Sequence, residues 1–134
     1  MKQEGGDKKR GDLVYYGECY KIVGVAMNVY NQLGYGYEEK TYQKALALSF
    51  KEAGIRFVEQ LYAPVMYEGK IIDKNFFDFL VEDIIVVEIK RGDHFSTAHI
   101  NQVYKYLVTK GLKLGVLIYF SARGVHYKRI VNLN

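Results

Sequence analysis

The chain has 134 residues, of which 49% are hydrophobic and 25% are charged, and these values are ordinary for one soluble globular domain. Its formal net charge of +4 and pI near 9.0 permit binding to a polyanion without demonstrating it. No apolar run is long enough to span a bilayer, and the single cysteine, Cys19, excludes an internal disulfide.

The N-terminal residues lack the apolar core of a signal peptide, so we expect a cytoplasmic protein without a membrane partner. Residues 1–12 are polar and charged and include two adjacent glycines. We expect them to form a flexible tail, and we expect residues 13–134 to form a single domain.

Hydrophobic periodicity predicts the elements in chain order. Apolar residues recur at helical spacing over three stretches: about 17–33, 38–53 and 98–109. Aromatic and β-branched residues predict strands over five stretches: 57–67, which contains Pro64, then 70–81, 84–90, 113–120 and 125–131. The fold class that follows is α/β (α+β), a central mixed β-sheet flanked by helices. The run from Ile84 to Phe120 predicts a parallel strand–helix–strand crossover.

The predicted hairpin from Phe76 to Lys90 organises the chain because charged residues interrupt its apolar sequence. Asp78 lies in the first strand, and Glu88 and Lys90 lie in the second. Glu88 and Lys90 are two residues apart, so a regular strand points them to the same face. Charged groups in an apolar sheet are costly unless they are paired or bind something. This hairpin is therefore the first candidate for chemistry.

The register of the hairpin decides whether its two acids can meet. If Glu82 and Asp83 formed a plain two-residue turn, Asp78 would face Val87, and Glu88 would lie on the other face. A three-residue loop or one bulge would instead bring Asp78 opposite Glu88. A shared site therefore predicts an irregular hairpin.

Two carboxylates and an ammonium group predict a divalent metal site. Hard oxygen ligands suit Mg²⁺ or Mn²⁺, which could be held by Asp78 and Glu88 and could polarise a phosphodiester. Lys90 could orient the attacking water or offset developing charge, and Arg91, which follows it, is a candidate for substrate binding. A salt-bridged Glu88–Lys90 pair on a solvated strand is the commoner explanation of this spacing, although Asp78 favours the functional interpretation.

The helices add further candidates. Glu39 lies three residues before Tyr42, at the edge of an apolar stripe and in the first helical turn. Its spacing slightly favours an interaction with the helix dipole over a carboxylate aimed at the sheet. His99, Gln102 and Tyr106 share one face of the third helix. Gln102 and Tyr106 are candidates for contacting a substrate backbone or a water. His99 could face the site from the same helix, but a capping or surface role is favoured.

A family resemblance sharpens these interpretations. Residues 36–42 fit the pattern Gly-x-x-Glu-x-x-Tyr. Together with Asp78, the Glu88-Ile89-Lys90 stretch and the stretch 99–102, they resemble the GxxExxY protein family. That family is placed in the PD-(D/E)XK nuclease-like superfamily, which has the restriction-endonuclease-like fold. The resemblance covers nearly the whole chain beyond about Leu13.

The resemblance implies a metal site made of acid, acid and lysine at Asp78, Glu88 and Lys90. Glu39 matches the glutamate of the family's first helix and would add a metal ligand. Phe77 stands where the superfamily name has a proline, and this departure removes no ligand.

The leading functional prediction is a magnesium-dependent nuclease-like enzyme that hydrolyses phosphodiester bonds of DNA or RNA. The alternative is a non-catalytic module that keeps the fold and binds nucleic acid or another protein. A third hypothesis is a structural domain whose acids are only salt-bridged. Homodimerisation is open in all three cases.

Overall fold

The computed structural model describes residues 10–134, so most of the predicted tail lies outside the described residues. Four helices are present in this part of the chain: α1 (Arg10–Leu13), α2 (Tyr16–Leu33), α3 (Glu39–Glu52) and α4 (Thr97–Lys110). Its strands are β1 (Phe57–Tyr62), β2 (Val65–Tyr67), β3 (Lys70–Asp73), β4 (Phe76–Val81), β5 (Ile85–Arg91), β6 (Leu114–Ser121) and β7 (Gly124–Val131). Between residues 10 and 134, no helix combines the length and the apolarity needed to cross a membrane.

Five strands form one mixed sheet in the order β1-β4-β5-β6-β7. The β5–β6 pair is parallel and is connected through α4, whereas the other neighbouring strands pair antiparallel. This topology confirms the predicted mixed sheet with its strand–helix–strand crossover. The parallel pair matters for the site because it buries β5 in the middle of the sheet, where a charged side chain is costly.

The two faces of the sheet are covered by different helices. On one face, α2 and α3 pack through their apolar stripes, and the rings of Tyr42 and Phe120 stack at 4.2 Å between centroids. On the other face, α4 contributes Val103 and Leu107 to a second apolar cluster. The approach of α4 is close, because a Cβ atom on Gly115 of β6 would meet Val103 Cγ1 at 2.8 Å. A glycine at this position therefore sets how near α4 lies to the sheet.

The two longest predicted strands are each divided in the structure. The predicted strand 57–67 separates into β1 and β2 around Pro64, which has no N–H to donate to a ladder. The predicted strand 70–81 separates into β3 and β4, and the Ala63 N–H donates to Asn75 O across the two breaks (2.7 Å). As a result β2 and β3 pair with each other in their own two-stranded sheet.

The β4–β5 hairpin has a three-residue loop. Val81 pairs with Ile85, and the Ile84 N–H donates to Val81 O at 3.0 Å. Glu82 and Asp83 both have positive φ angles, 53° and 63°, which produce the tight reversal. The predicted irregular hairpin is thereby confirmed, and the register places position 78 opposite position 88.

The first helix, α1, is attached to the edge strand β7. Arg129 of β7 donates from Nη2 to Gly11 O (2.7 Å) and to Val14 O (2.6 Å). A charged donor shared by two backbone carbonyls attaches α1 and the residue after it to the sheet.

Candidate active site

The site lies where β4 separates from β5. The backbone ladder between these strands runs from Val81 and Ile85 to Phe79 and Val87. At the next position the side chains replace it: the Asp78 N–H donates to Glu88 Oε1 (2.6 Å), and the Ile89 N–H donates to Asp78 Oδ2 (2.8 Å). Each carboxylate takes the place of a ladder carbonyl, so the backbone of one strand fixes the acid of the other.

The ladder on the other side of β4, which pairs it with β1, is also irregular at Asp78. In the β1–β4 ladder, Glu59 pairs with Phe79 and Leu61 pairs with Phe77, which leaves Gln60 across from Asp78. Gln60 has φ = 54°, in the left-handed region that is unfavourable for a residue with a side chain. Strain of this kind persists only when surrounding structure holds it, and it is concentrated at functional sites.

Burial and crowding of the acids perturb Asp78. The pKa of Asp78 is raised from 3.8 to about 7, mainly by burial and next by the charge of the nearby Glu88 carboxylate. The hydrogen bond from Ile89 lowers it, while a hydrogen bond with the Glu88 side chain and the charge of Glu39 raise it. The carboxyl group of Asp78 is therefore held where its ionised form is disfavoured, as is typical of functional carboxylates.

Glu39 reaches the same end of β5 from the start of α3. Its Oε2 atom accepts a hydrogen bond from the Arg91 N–H (3.2 Å) and lies 4.0 Å from Lys90 Nζ. Both side chains of this ion pair are about half exposed, so the pair adds little to stability. Besides its position in the first helical turn, where it can interact with the helix dipole, Glu39 therefore has side-chain contacts with Lys90 and with the Arg91 backbone.

His99 is the residue for which the sequence favoured a role outside the site. Ser96 Oγ accepts from the His99 N–H (3.0 Å), and the imidazole stacks on Phe95 at 5.8 Å. Its Nε2 atom lies 3.0 Å from Glu88 Oε2, but this pair lacks hydrogen-bond geometry, and Nε2 is buried with no hydrogen-bond partner among the described residues. The side chain therefore faces the acids instead of serving a capping or surface role.

A sequence signal for His99 existed. His99 shares its helix face with Gln102, three residues further on. What the sequence could not supply was the packing of α4 against the sheet, which decides that this face meets Glu88.

The three residues predicted to bind substrate lie on α4 and at the end of β5. Gln102 and Tyr106 line a cavity of about 460 Å³, and the Tyr106 ring meets Phe77 edge to face at 5.2 Å. Burial raises the pKa of Tyr106. The Arg91 guanidinium lies over the ring of Tyr35, 5.5 Å from its centroid, in the loop that precedes α3. Within residues 10–134, no hydrogen bond or ion pair joins these three side chains to Asp78, Glu88 or Glu39.

The donor set can be compared with what a divalent cation needs. Within the described chain, no three His, Cys, Asp or Glu side chains form a ready-made group of metal ligands. Asp78 and Glu88 nevertheless crowd two carboxylates together, and His99 places a buried nitrogen 3.0 Å from Glu88 Oε2. A cation between the carboxylates would relieve their repulsion, and Mg²⁺ commonly uses only one or two protein carboxylates. The residues fit such an ion.

The comparisons with known proteins identify the class to which this α/β domain belongs. A family model described as the PD-(D/E)XK nuclease superfamily matches residues 17–130. The match covers most of the chain, so the protein belongs to the PD-(D/E)XK nuclease superfamily. Nucleases of this superfamily generally use divalent metal ions. The narrower resemblance to the GxxExxY family stays a prediction.

Solved structures extend the comparison. The crystal structure of SSO0001 is 17% identical with a TM-score of 0.51, over 92% of this chain and 60% of that chain. This chain thus spans 60% of that protein's length, and the likeness shows the fold alone.

Two further structures are of an alkaline exonuclease (LHK-Exo) from Laribacter hongkongensis. One is 15% identical with a TM-score of 0.46, covering 80% of this chain and 76% of that chain. The other, in complex with dAMP, is 14% identical with a TM-score of 0.44, covering 86% and 82%. With TM-scores below 0.5, these two similarities carry no functional argument. Among curated proteins, no significant match is found.

Proposed function

We propose that this protein is a hydrolase of phosphodiester bonds in DNA or RNA that depends on Mg²⁺ or Mn²⁺. The observation that carries this proposal is the mutual insertion of Asp78 and Glu88 between β4 and β5, with Lys90 and Glu39 beside them. Such an arrangement costs stability, because it buries acids and crowds their charges. A function for the acids would explain why the fold tolerates this cost, and the chain belongs to a nuclease superfamily.

Asp78 and Glu88 would hold the cation, with Glu39 as a further ligand either directly or through a water. When bound, the ion would polarise the phosphodiester and lower the pKa of an attacking water. The backbone contribution belongs to the chain itself: the N–H groups of Asp78 and Ile89 hold the two carboxylates in position before substrate arrives. Preorganised groups of this kind need no rearrangement during the reaction.

Lys90 would act on the phosphate. Its ammonium group is half exposed and lies 4.0 Å from Glu39 Oε2, at the end of β5 that carries the acids. A cation there would offset the negative charge that develops on the phosphate, and it would help to orient the attacking water. Through this ion pair, Glu39 would hold Lys90 near the acids. Glu39 would therefore contribute both to cation binding and to the position of Lys90.

A second candidate function is nucleic-acid binding without turnover. The finding that favours it is that the described residues contain no ready-made group of three metal ligands. The Asp78–Glu88 pair would then lower the stability of the fold without contributing to catalysis. The two functions differ in whether a metal supports turnover.

The test is a nuclease assay of the wild type with Mg²⁺, Mn²⁺ or EDTA, on single- and double-stranded DNA and on RNA. Cleavage that requires metal, and that Glu88→Gln abolishes, supports the proposal. Glu88→Gln keeps an oxygen to accept from the Asp78 N–H, so its loss of activity reports on charge more than on folding. If the wild type binds these nucleic acids but cleaves none of them, the result supports the second candidate function.

A further inference from the structure

A cavity of about 460 Å³ lies between α4, the two residues that join β1 to β2, the start of β2 and the start of β4. The residues that matter for its chemistry are Met66, Phe77, Gln102, Lys105, Tyr106 and Lys110. A cavity of this size with mostly apolar walls and few polar groups is typical of a small-ligand site.

The walls supply aromatic rings next to a polar amide. Tyr106 packs edge to face on Phe77 at 5.2 Å, and Lys110 Nζ lies 6.0 Å from the centroid of the Tyr106 ring. Phe77 is almost fully buried and holds Tyr106 in place, while Tyr106 is partly exposed and can offer its ring to a ligand. Gln102, one helical turn earlier, brings an amide that can both donate and accept hydrogen bonds.

The charge of the cavity has one sign. Among the described residues that line it, the charged ones are Lys105 and Lys110, and both are exposed. A ligand that is flat and apolar on its faces, polar at its edge and joined to negative charge matches these walls. A nucleotide has all four properties.

The cavity adjoins the acids through two chain connections. Phe77 directly precedes Asp78 in β4. Gln102 lies three residues after His99, whose Nε2 atom is 3.0 Å from Glu88 Oε2. A strand whose phosphate lay at the acids would therefore carry a neighbouring base toward the cavity.

We propose that this cavity is a subsite for one unpaired base of the substrate strand, next to the cleaved phosphate. The base packs against Tyr106, its edge meets the Gln102 amide, and Lys105 and Lys110 face the adjoining phosphates. A base that is stacked and paired within a duplex cannot enter a side cavity without being extruded. The inference rests on the proposed function and specifies its substrate as single-stranded nucleic acid or a frayed end.

The experiment follows binding without catalysis. Single-stranded oligonucleotides that carry 2-aminopurine at successive positions are titrated with the wild type in EDTA, and a matched duplex is titrated in parallel. Aminopurine fluorescence should change on binding at one or two positions of the single strand and should stay constant in the duplex. A single strand with an abasic residue at the responsive position should bind about 5- to 150-fold more weakly, the range expected for one stacked base.

Variants decide whether Tyr106 is the stacking partner. Tyr106→Leu should remove the fluorescence change and weaken binding by the same factor, while Tyr106→Phe, which keeps the ring, should retain both. Lys128→Ala, which changes an exposed lysine on β7, is the control for lost positive charge. If Tyr106→Leu remains folded by circular dichroism and binds like the wild type, the subsite is wrong.

The outcomes also separate this inference from the nuclease proposal. Metal-dependent cleavage of duplex and single strand at equal rates, without an aminopurine response, would reject the subsite and leave the nuclease intact. A position-specific aminopurine response without any cleavage would support the subsite while rejecting the nuclease.

Discussion

Asp78 and Glu88 face each other across β4 and β5, and each carboxylate accepts a hydrogen bond from the backbone of the other's strand. This exchange ends the ladder between the two strands and places both acids at the opening. The backbone N–H groups of Asp78 and Ile89 thereby orient the two carboxylates. Their remaining lone pairs stay available to a ligand.

The first prediction concerns pH. Asp78 has a folded-state pKa of about 7, above its ordinary value of 3.8, so the folded protein binds the extra proton between these two values. The contribution of this protonated carboxyl group to the free energy of unfolding is fully present below about pH 4 and is lost as the pH rises through 7. Asp78→Asn cannot ionise, so it should be more stable than the metal-free wild type at pH 8, by on the order of 1 to 4 kcal/mol.

Urea unfolding of both proteins at pH 5 and pH 8, in EDTA, measures this difference. The gap in the free energy of unfolding between variant and wild type should widen toward pH 8. Added Mg²⁺ should narrow it by stabilising only the wild type. A gap that is the same at both pH values would contradict the assignment of the shift to Asp78.

The second prediction concerns Glu39. Glu39→Gln keeps an oxygen for the Arg91 N–H but removes the charge beside Lys90. We expect metal affinity to fall roughly 10- to 100-fold, as for residues that support a metal site. The measurement is calorimetric titration with Mn²⁺. Glu38→Gln is the matched control, since Glu38 is an exposed glutamate one residue earlier, and it should bind metal like the wild type.

The third prediction concerns Lys90. Lys90→Ala should lower single-turnover cleavage by on the order of 100-fold or more, because the ammonium group acts on charge that develops in the transition state. Metal affinity should change little, since an ammonium group is not a ligand. Lys128→Ala should cleave at the wild-type rate. If Lys90→Ala also cleaves at that rate, the assigned role of the lysine is wrong even if the protein is a nuclease.

The fourth prediction concerns the strained position opposite Asp78. Gln60 is exposed with φ = 54°, where glycine has no steric penalty. Gln60→Gly should therefore raise the free energy of unfolding by about 0.5 to 1 kcal/mol, and Gln60→Val should lower it by about 1 to 2 kcal/mol. At the neighbouring Glu59, which pairs regularly with Phe79, glycine should instead destabilise. Chemical denaturation of the three variants checks the signs.

Much of the fold could be read from the sequence because periodicity is a local property. The apolar stripes of α2, α3 and α4 predicted their bounds within about two residues. The charged residues Asp78, Glu88 and Lys90 stood out because β4 and β5 are otherwise apolar. The requirement for an irregular hairpin followed from the two-residue repeat of a strand.

Other features depended on contacts between distant parts of the chain. The loop from Glu82 to Ile84 fixed the register that sets Asp78 opposite Glu88. The close approach of α4 over Gly115 decided that His99 meets Glu88, whereas its sequence position alone allowed a surface role. The sequence by itself determined which residues carry the charge and which faces are apolar. Only the tertiary structure decided which charges share a site, because strand register and helix packing are set by long-range burial that no local pattern contains.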